Sequence, residues 1–239
     1  MSRHSIYGVV AAGTVMVLSA CSEPDAGTSS GQGTAATTSG TTQADTGNPF
    51  FAPSPLSYEF PPFDRIENAH YLPAFEAGMA EQLAEIDAIV AQDTPPDFDN
   101  TLVALEQSGE LLSRVSTVFF AMSGAHTNDA IRQIEAEVAP RLSEHSDRIA
   151  LNRALFERVQ TLYEQRSSLD LDAEAIRLIE ETHRDFVLAG AELGDADQDR
   201  LRAINTELAR LETEFDQNVL NEVNALAIVV DSREQLAGL

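Results

Sequence analysis

PPDFDNTLVALEQSGELLSRVSTVFFAMSGAHTND, running from Pro95 to Asp129, decides how this chain folds. Two prolines and an Asp/Asn cluster open it, and Asp99, Asn100 and Thr101 carry oxygens that can accept from the free N–H groups of a helix start. Leu102, Leu105, Leu112, Val115, Phe119 and Met122 follow at steps of three, four and seven. That spacing predicts one helix of about six turns with a single apolar stripe, which must be buried against other helices. Gly109 and Ser116 lie in or beside the stripe, where small residues let a neighbour come close. Such packing would offset the roughly 1 kcal/mol that glycine costs in an exposed helix relative to alanine.

Helical spacing continues on both sides. Leu72, Phe75, Met79, Leu83, Ile86 and Val90 predict a helix near Asn68 to Ala91, with Pro73 near its first turn. Thr127 to Asp129 can cap a helix carrying Ile131, Ile134, Val138, Leu142, His145 and Ile149, in which Pro140 predicts a kink or break. Asn152 opens a shorter helix with Leu155, Val159 and Leu162, and Asp172 another with Ile176, Ile179, His183 and Phe186. Asp195 or Asp197 starts the longest, where Leu201, Ile204, Leu208, Leu211, Phe215, Val219 and Val223 persist for about eight turns. Only residues 227–230 have strand character. Upstream, Asn48 to Asp64 interleaves five prolines with Phe50, Phe51, Tyr58, Phe60 and Phe63, which predicts an extended arm whose aromatics lie in a groove. The fold class is all-α, a bundle or layered array of six helices.

Three stretches, Phe98–Asp129, His70–Ile86 and Asp185–Phe215, resemble the N-terminal half of the M3 family of zinc metallopeptidases, in its peptidyl-dipeptidase and oligopeptidase A group. The likeness runs in order from about Asn48 to Leu239, so it is more specific than any single motif. It implies a helical N-terminal region that forms one wall of a channel admitting short peptides. In that family zinc is held by a His-Glu-x-x-His helix and a later Glu, in a catalytic half that this chain would lack.

The residues themselves offer no such centre. The histidines are His4, His70, His126, His145 and His183, and no two stand four apart to share a helix face. No zinc or other metal is therefore expected on this chain, no catalytic residue is assigned, and these residues should be inactive alone. Glu67-x-x-His70 and Glu180-x-x-His183 match a spacing used in dimetal bundles, but Glu67 and His70 stand at a helix start where an inward ligand set is hard to form. His145 and His183 sit on apolar stripes, where histidine is more often hydrogen-bonded packing than a ligand. Ser108-Gly109 and Ser123-Gly124 lack the surround of a nucleophile elbow. Acidic pairs such as Glu135/Glu137 and Glu180/Glu181 fall largely opposite the apolar stripes and read as solvated surface.

Residues 1–21 read as an export signal: a short basic start, an apolar run from Ile6 to Leu18, then Leu18-Ser19-Ala20-Cys21. The single cysteine closes the run as in a bacterial lipobox, so Cys21 is the expected lipidation site; the competing reading is an ordinary signal with an incidental cysteine. Residues 22–47 are Ser, Thr, Gly, Ala, Gln and Asp with almost nothing large or apolar, a disordered tether between membrane and body. Ser22 after the cysteine resembles outer-membrane sorting, which places the protein on the periplasmic face. A net charge of −24, with arginine as the sole basic residue besides histidine, argues against nucleic acid as a partner.

Two readings follow. In the first, residues 48–239 are the N-terminal channel wall of a lipid-anchored M3-type peptidase, with short peptides and the catalytic half of the same polypeptide as partners. The chain reaches Leu239 just after a helix-like Arg233–Ala237, which suits a fragment. The alternative is a stand-alone periplasmic helical module that binds peptide or protein without catalysis.

Overall fold

The computed structural model describes residues 47–226, and from Asn48 onward these belong to one compact unit. It is all-α. The helices are α1 (Asn68–Val90), α2 (Ala104–Gln107), α3 (Glu110–Ala125), α4 (Asp129–Ala150), α5 (Arg153–Gln165), α6 (Ala173–Leu188) and α7 (Asp195–Ala225). Among the described residues there is no strand; the strand character at 227–230 and the helix-like Arg233–Ala237 lie outside them, as do residues 1–46.

The caps explain most of the helix starts. Asn128, Asn152 and Asp172 each accept a backbone N–H three residues on, at 3.0, 3.0 and 2.8 Å, and open α4, α5 and α6 as expected. The long segment after Pro95 begins differently. Asp97, not Asp99 or Thr101, is the cap: its carboxylate accepts from Asn100 N at 2.7 Å and the Asn100 side chain returns to Asp97 N at 2.9 Å. A π-helical turn, Phe98–Val103, leads into α2.

The expected six-turn helix is broken at Ser108-Gly109. Ser108 is extended and Gly109 takes φ +76°, so it makes the left-handed turn that starts α3, with the Gln82 side chain of α1 close against it. The close approach of helix backbones falls on Gly78, where an added Cβ would stand 2.8 Å from Leu112 Cα and N. Prolines are milder than their positions suggest. Pro140 lies inside an unbroken α4, and Pro73 sits one turn deeper in α1 than its placement near the first turn. Each removes a hydrogen bond to the residue four before, Ala136 or Ala69, and both of those are exposed, so water can serve their carbonyls.

The main core joins α1, α3 and α4 through Phe75, Phe119, Val115, Ile131 and Val138, with Phe75 and Phe119 edge-on at 5.3 Å. A second, smaller core holds Leu102, Leu162 and Ile179 between the π-turn, α5 and α6. The buried stripe of α1 is Tyr71, Ala74, Phe75, Gly78, Met79, Gln82, Ile86 and Ile89: Phe75, Met79 and Ile86 are buried as expected, while Leu72, Leu83 and Val90 lie at its margin and Gln82 takes its centre.

The proline-rich arm forms two short 3₁₀ turns, Pro49–Phe51 and Ser57–Glu59, and is not simply extended. Phe50 alone of its aromatics is fully buried, and Arg114 donates to the Phe50 carbonyl at 2.7 Å. Tyr58, Phe60 and Phe63 stay exposed, the last two edge-on to each other at 5.7 Å.

Replacing Gly78 with alanine drives a methyl group into the α3 backbone, which cannot move without disturbing the core. The G78A chain should lose about 1–3 kcal/mol in urea unfolding, the range of overpacking effects. An unchanged midpoint would show that α1 and α3 are not held at this distance.

Candidate functional site

The histidines of the two Glu-x-x-His pairs are engaged elsewhere. His70 Nδ1 accepts from Glu67 N at 2.9 Å, so the first Glu-x-x-His is a helix cap. In the second, Glu180 pairs with Arg166 and Arg177, while His183 lies parallel to Tyr163 at 3.9 Å. Arg166 also stacks over that tyrosine ring, and burial lowers the His183 pKa. His183 is thus aromatic packing. Among the described residues no three His, Cys, Asp or Glu side chains are grouped to hold a metal ion, and the donor set does not fit the family's zinc. Cys21 lies outside the described residues.

His145 is the buried member of the set. It is 5% exposed, and its Nε2 stands 2.7 Å from Gln82 Oε1, so the ring carries its proton on Nε2. Nδ1 is buried without a partner. Adding a proton there would create a charge with no acceptor beside Arg148, and burial first, then that arginine, pushes the pKa down to about 4.

The acidic pairs are not all solvated surface, as their position opposite the stripes suggests. Glu135 is half-buried, accepts from Ser123 Oγ at 3.0 Å, and has its pKa raised by burial and by Asp216 of α7. Asp147, also raised by burial, accepts from Asn205 Nδ2 at 2.8 Å.

These contacts define how α7 is held. Leu201, Arg202, Asn205, Thr206, Ala209, Thr213, Gln217 and Leu220 are its half-buried residues, and Gln217 donates to the Arg132 carbonyl at 3.0 Å. Between Leu201 and Leu220 that half-buried face is polar or small. Beyond half-buried Leu201 the apolar stripe points away: Leu208, Leu211, Phe215 and Val223 are 48, 44, 67 and 61% exposed, and Ile204 and Val219 of the same row are exposed too. From Ile204 to Val223 the stripe extends about 29 Å along the helix. An exposed apolar row of that length marks an interaction surface, and no sequence signal distinguished it from a core stripe. This surface, not a catalytic cluster, is what the described residues present.

No protein-family model matches the chain. It is 48% identical over 192 residues to the dipeptidyl carboxypeptidases of Escherichia coli and Salmonella typhimurium, which covers 80% of this chain. It is 24% identical over 183 residues to oligopeptidase A of Salmonella typhimurium. The resemblance to the N-terminal part of the M3 peptidases therefore stands. The chain spans 28% of the length of the dipeptidyl carboxypeptidases it matches.

The His145 environment sets a pH dependence with a definite sign. The unfolded ring takes a proton as pH falls below about 6.5, whereas the folded ring refuses it until about 4. Stability is therefore intact above pH 6.5 and drains away as pH falls through that window, by up to about 3 kcal/mol. Comparing urea unfolding of the native chain and H145Q between pH 7.5 and 4 isolates this effect from the raised carboxylates. The native curve should fall more steeply, and parallel curves would exclude a buried neutral histidine.

Proposed function

We propose that this chain is the N-terminal, non-catalytic part of a zinc-dependent M3-type peptidase that acts on short peptides in the cell envelope. Its helices shape one wall of the channel that admits peptide, and the zinc-bearing half packs over the exposed row on α7. The carrying observation is the 48% identity to dipeptidyl carboxypeptidases over most of this chain but little more than a quarter of theirs. The exposed α7 row supports the same reading, because an N-terminal part needs an apolar face to dock the remainder. A stand-alone binding module has no comparable observation in its favour.

The test is a chimera in which residues 48–239 replace the matched segment of the Escherichia coli dipeptidyl carboxypeptidase. With zinc added, it should release dipeptides from short peptides, and the L208E/F215E version should fold but fail to assemble an active enzyme. A folded, zinc-loaded chimera without activity, or one indifferent to L208E/F215E, would overturn the proposal.

We further propose that the body is lipid-anchored through Cys21 on the periplasmic face of the outer membrane, the long polar segment 22–47 keeping it clear of the bilayer. The exported protein should partition into detergent, and C21S should remain unprocessed or become soluble, since serine cannot carry the thioether-linked lipid. A processed, membrane-bound C21S protein would sink the assignment.

A further inference from the structure

We infer that the hollow beneath Phe63 is a binding site for a small neutral ligand with an aromatic or branched aliphatic body and one amide group. It lies where the arm meets the N-terminal ends of α1 and α4 and the C-terminal end of α3, with a volume of about 300 Å³. That is the lower end of small-ligand pockets. Phe63, Met122 and Ile131 supply apolar walls, and its polar groups are Asn68, Tyr71, His126 and Asn128.

Tyr71 carries the argument. It is only 2% exposed, and its ring is wedged between Phe50 at 5.5 Å and Phe119 at 5.0 Å. Its hydroxyl makes no hydrogen bond to a described residue, yet it is not among the polar atoms sealed from solvent, so it opens into the hollow that the residue lines. A ligand that bonds to this hydroxyl exchanges a water for itself while burying its apolar body against Phe63, Met122 and Ile131. Burial raises the phenol pKa, which keeps the donor in place at neutral pH.

The two asparagines complete the fit. Asn68 Nδ2 donates to Asn128 Oδ1 at 3.2 Å, and the same oxygen accepts Ile131 N at 3.0 Å as the α4 cap. This fixes both amide orientations and leaves Asn68 Oδ1 as acceptor and Asn128 Nδ2 as donor, the complement of an amide. No Asp, Glu or Arg lines the hollow, so an ammonium group finds no counter-charge there and a carboxylate finds no permanent one, only the His126 ring. The site is independent of the peptidase reading.

The probe is N-acetyl-phenylalaninamide, titrated into the isotope-labelled full chain and followed by NMR. Saturable shifts of the Met122 methyl and the Asn128 side-chain amide are expected, with weaker binding, above pH 7.5, of N-acetyl-phenylalanine, whose carboxylate meets no arginine there. Y71F keeps the packed ring and removes only the hydroxyl, so it should weaken binding about three- to tenfold, as should N68A at the rim. Absence of saturation, equal affinity in both variants, or shifts confined to the α7 row would each overturn the inference.

Discussion

One buried side-chain amide, that of Gln82, sets the arrangement of the three helices that make the main core. Its oxygen takes the proton of His145 Nε2 from α4, and its nitrogen faces Ser108 Oγ at 3.4 Å at the break before α3. The amide leaves no room for a side chain at position 109, where an added Cβ would stand 2.4 Å from its nitrogen. Glycine is therefore required twice over, by φ and by space. Glu85, three residues further along α1, accepts the Gly109 N–H at 2.7 Å and so satisfies a donor at the start of α3 from outside that helix. A partly satisfied polar cluster here would be worse than an apolar one. The bare Nδ1 of His145 is the part left unsatisfied, which is why the cluster is sensitive to acid and not to neutral pH.

A second polar junction fastens the smaller core. Arg158 of α5 is 8% exposed, yet its guanidinium is held by neutral acceptors: Asn100 Oδ1 at 2.8 Å, Thr101 Oγ1 at 3.2 Å, and the carbonyls of Gln92 and Thr94 at 3.5 and 3.4 Å. Only a planar fork reaches four acceptors from one helix position, and an ammonium group could not. Asn100, which also closes the cap at Asp97, thus links the loop after α1 to α5. The exposed i,i+3 and i,i+4 ion pairs along α6 and α7 contribute far less, since solvent screens them.

These junctions mark where sequence reading stops. The helices were legible because their apolar steps and their caps at Asn128, Asn152 and Asp172 are local signals. The break at Ser108-Gly109 was not, because apolar spacing carries through Leu105 and Leu112 and the cause lies on another helix. Gln82 was passed over for the same reason: a polar residue on a stripe scores as a defect until its partners are seen. The M3 relationship was legible from long strings of residues, and no catalytic geometry entered it. The hollow beside Tyr71 depends on three chain ends converging, which spacing along one helix cannot show.

On α7 the spacing predicted the helix but not which of its faces is covered. Its apolar positions were correctly spaced, but periodicity reports only that a face avoids water, not which element covers it. The helix docks on α4 through Asn205, Gln217 and the carboxylates Asp147 and Glu135, groups whose net contribution is small because each exchanges water for a protein partner. Burial at roughly 25 cal/mol per Å² makes a few hundred Å² on the outer row worth several kcal/mol, more than a handful of such hydrogen bonds supplies. Covering that row would therefore add to the hold that α4 already has on α7, the most extensive helix–helix contact of the fold. Burial raises the pKa of both Glu135 and Asp147 at that seam, so holding them ionised at neutral pH offsets part of what their hydrogen bonds to Ser123 and Asn205 contribute.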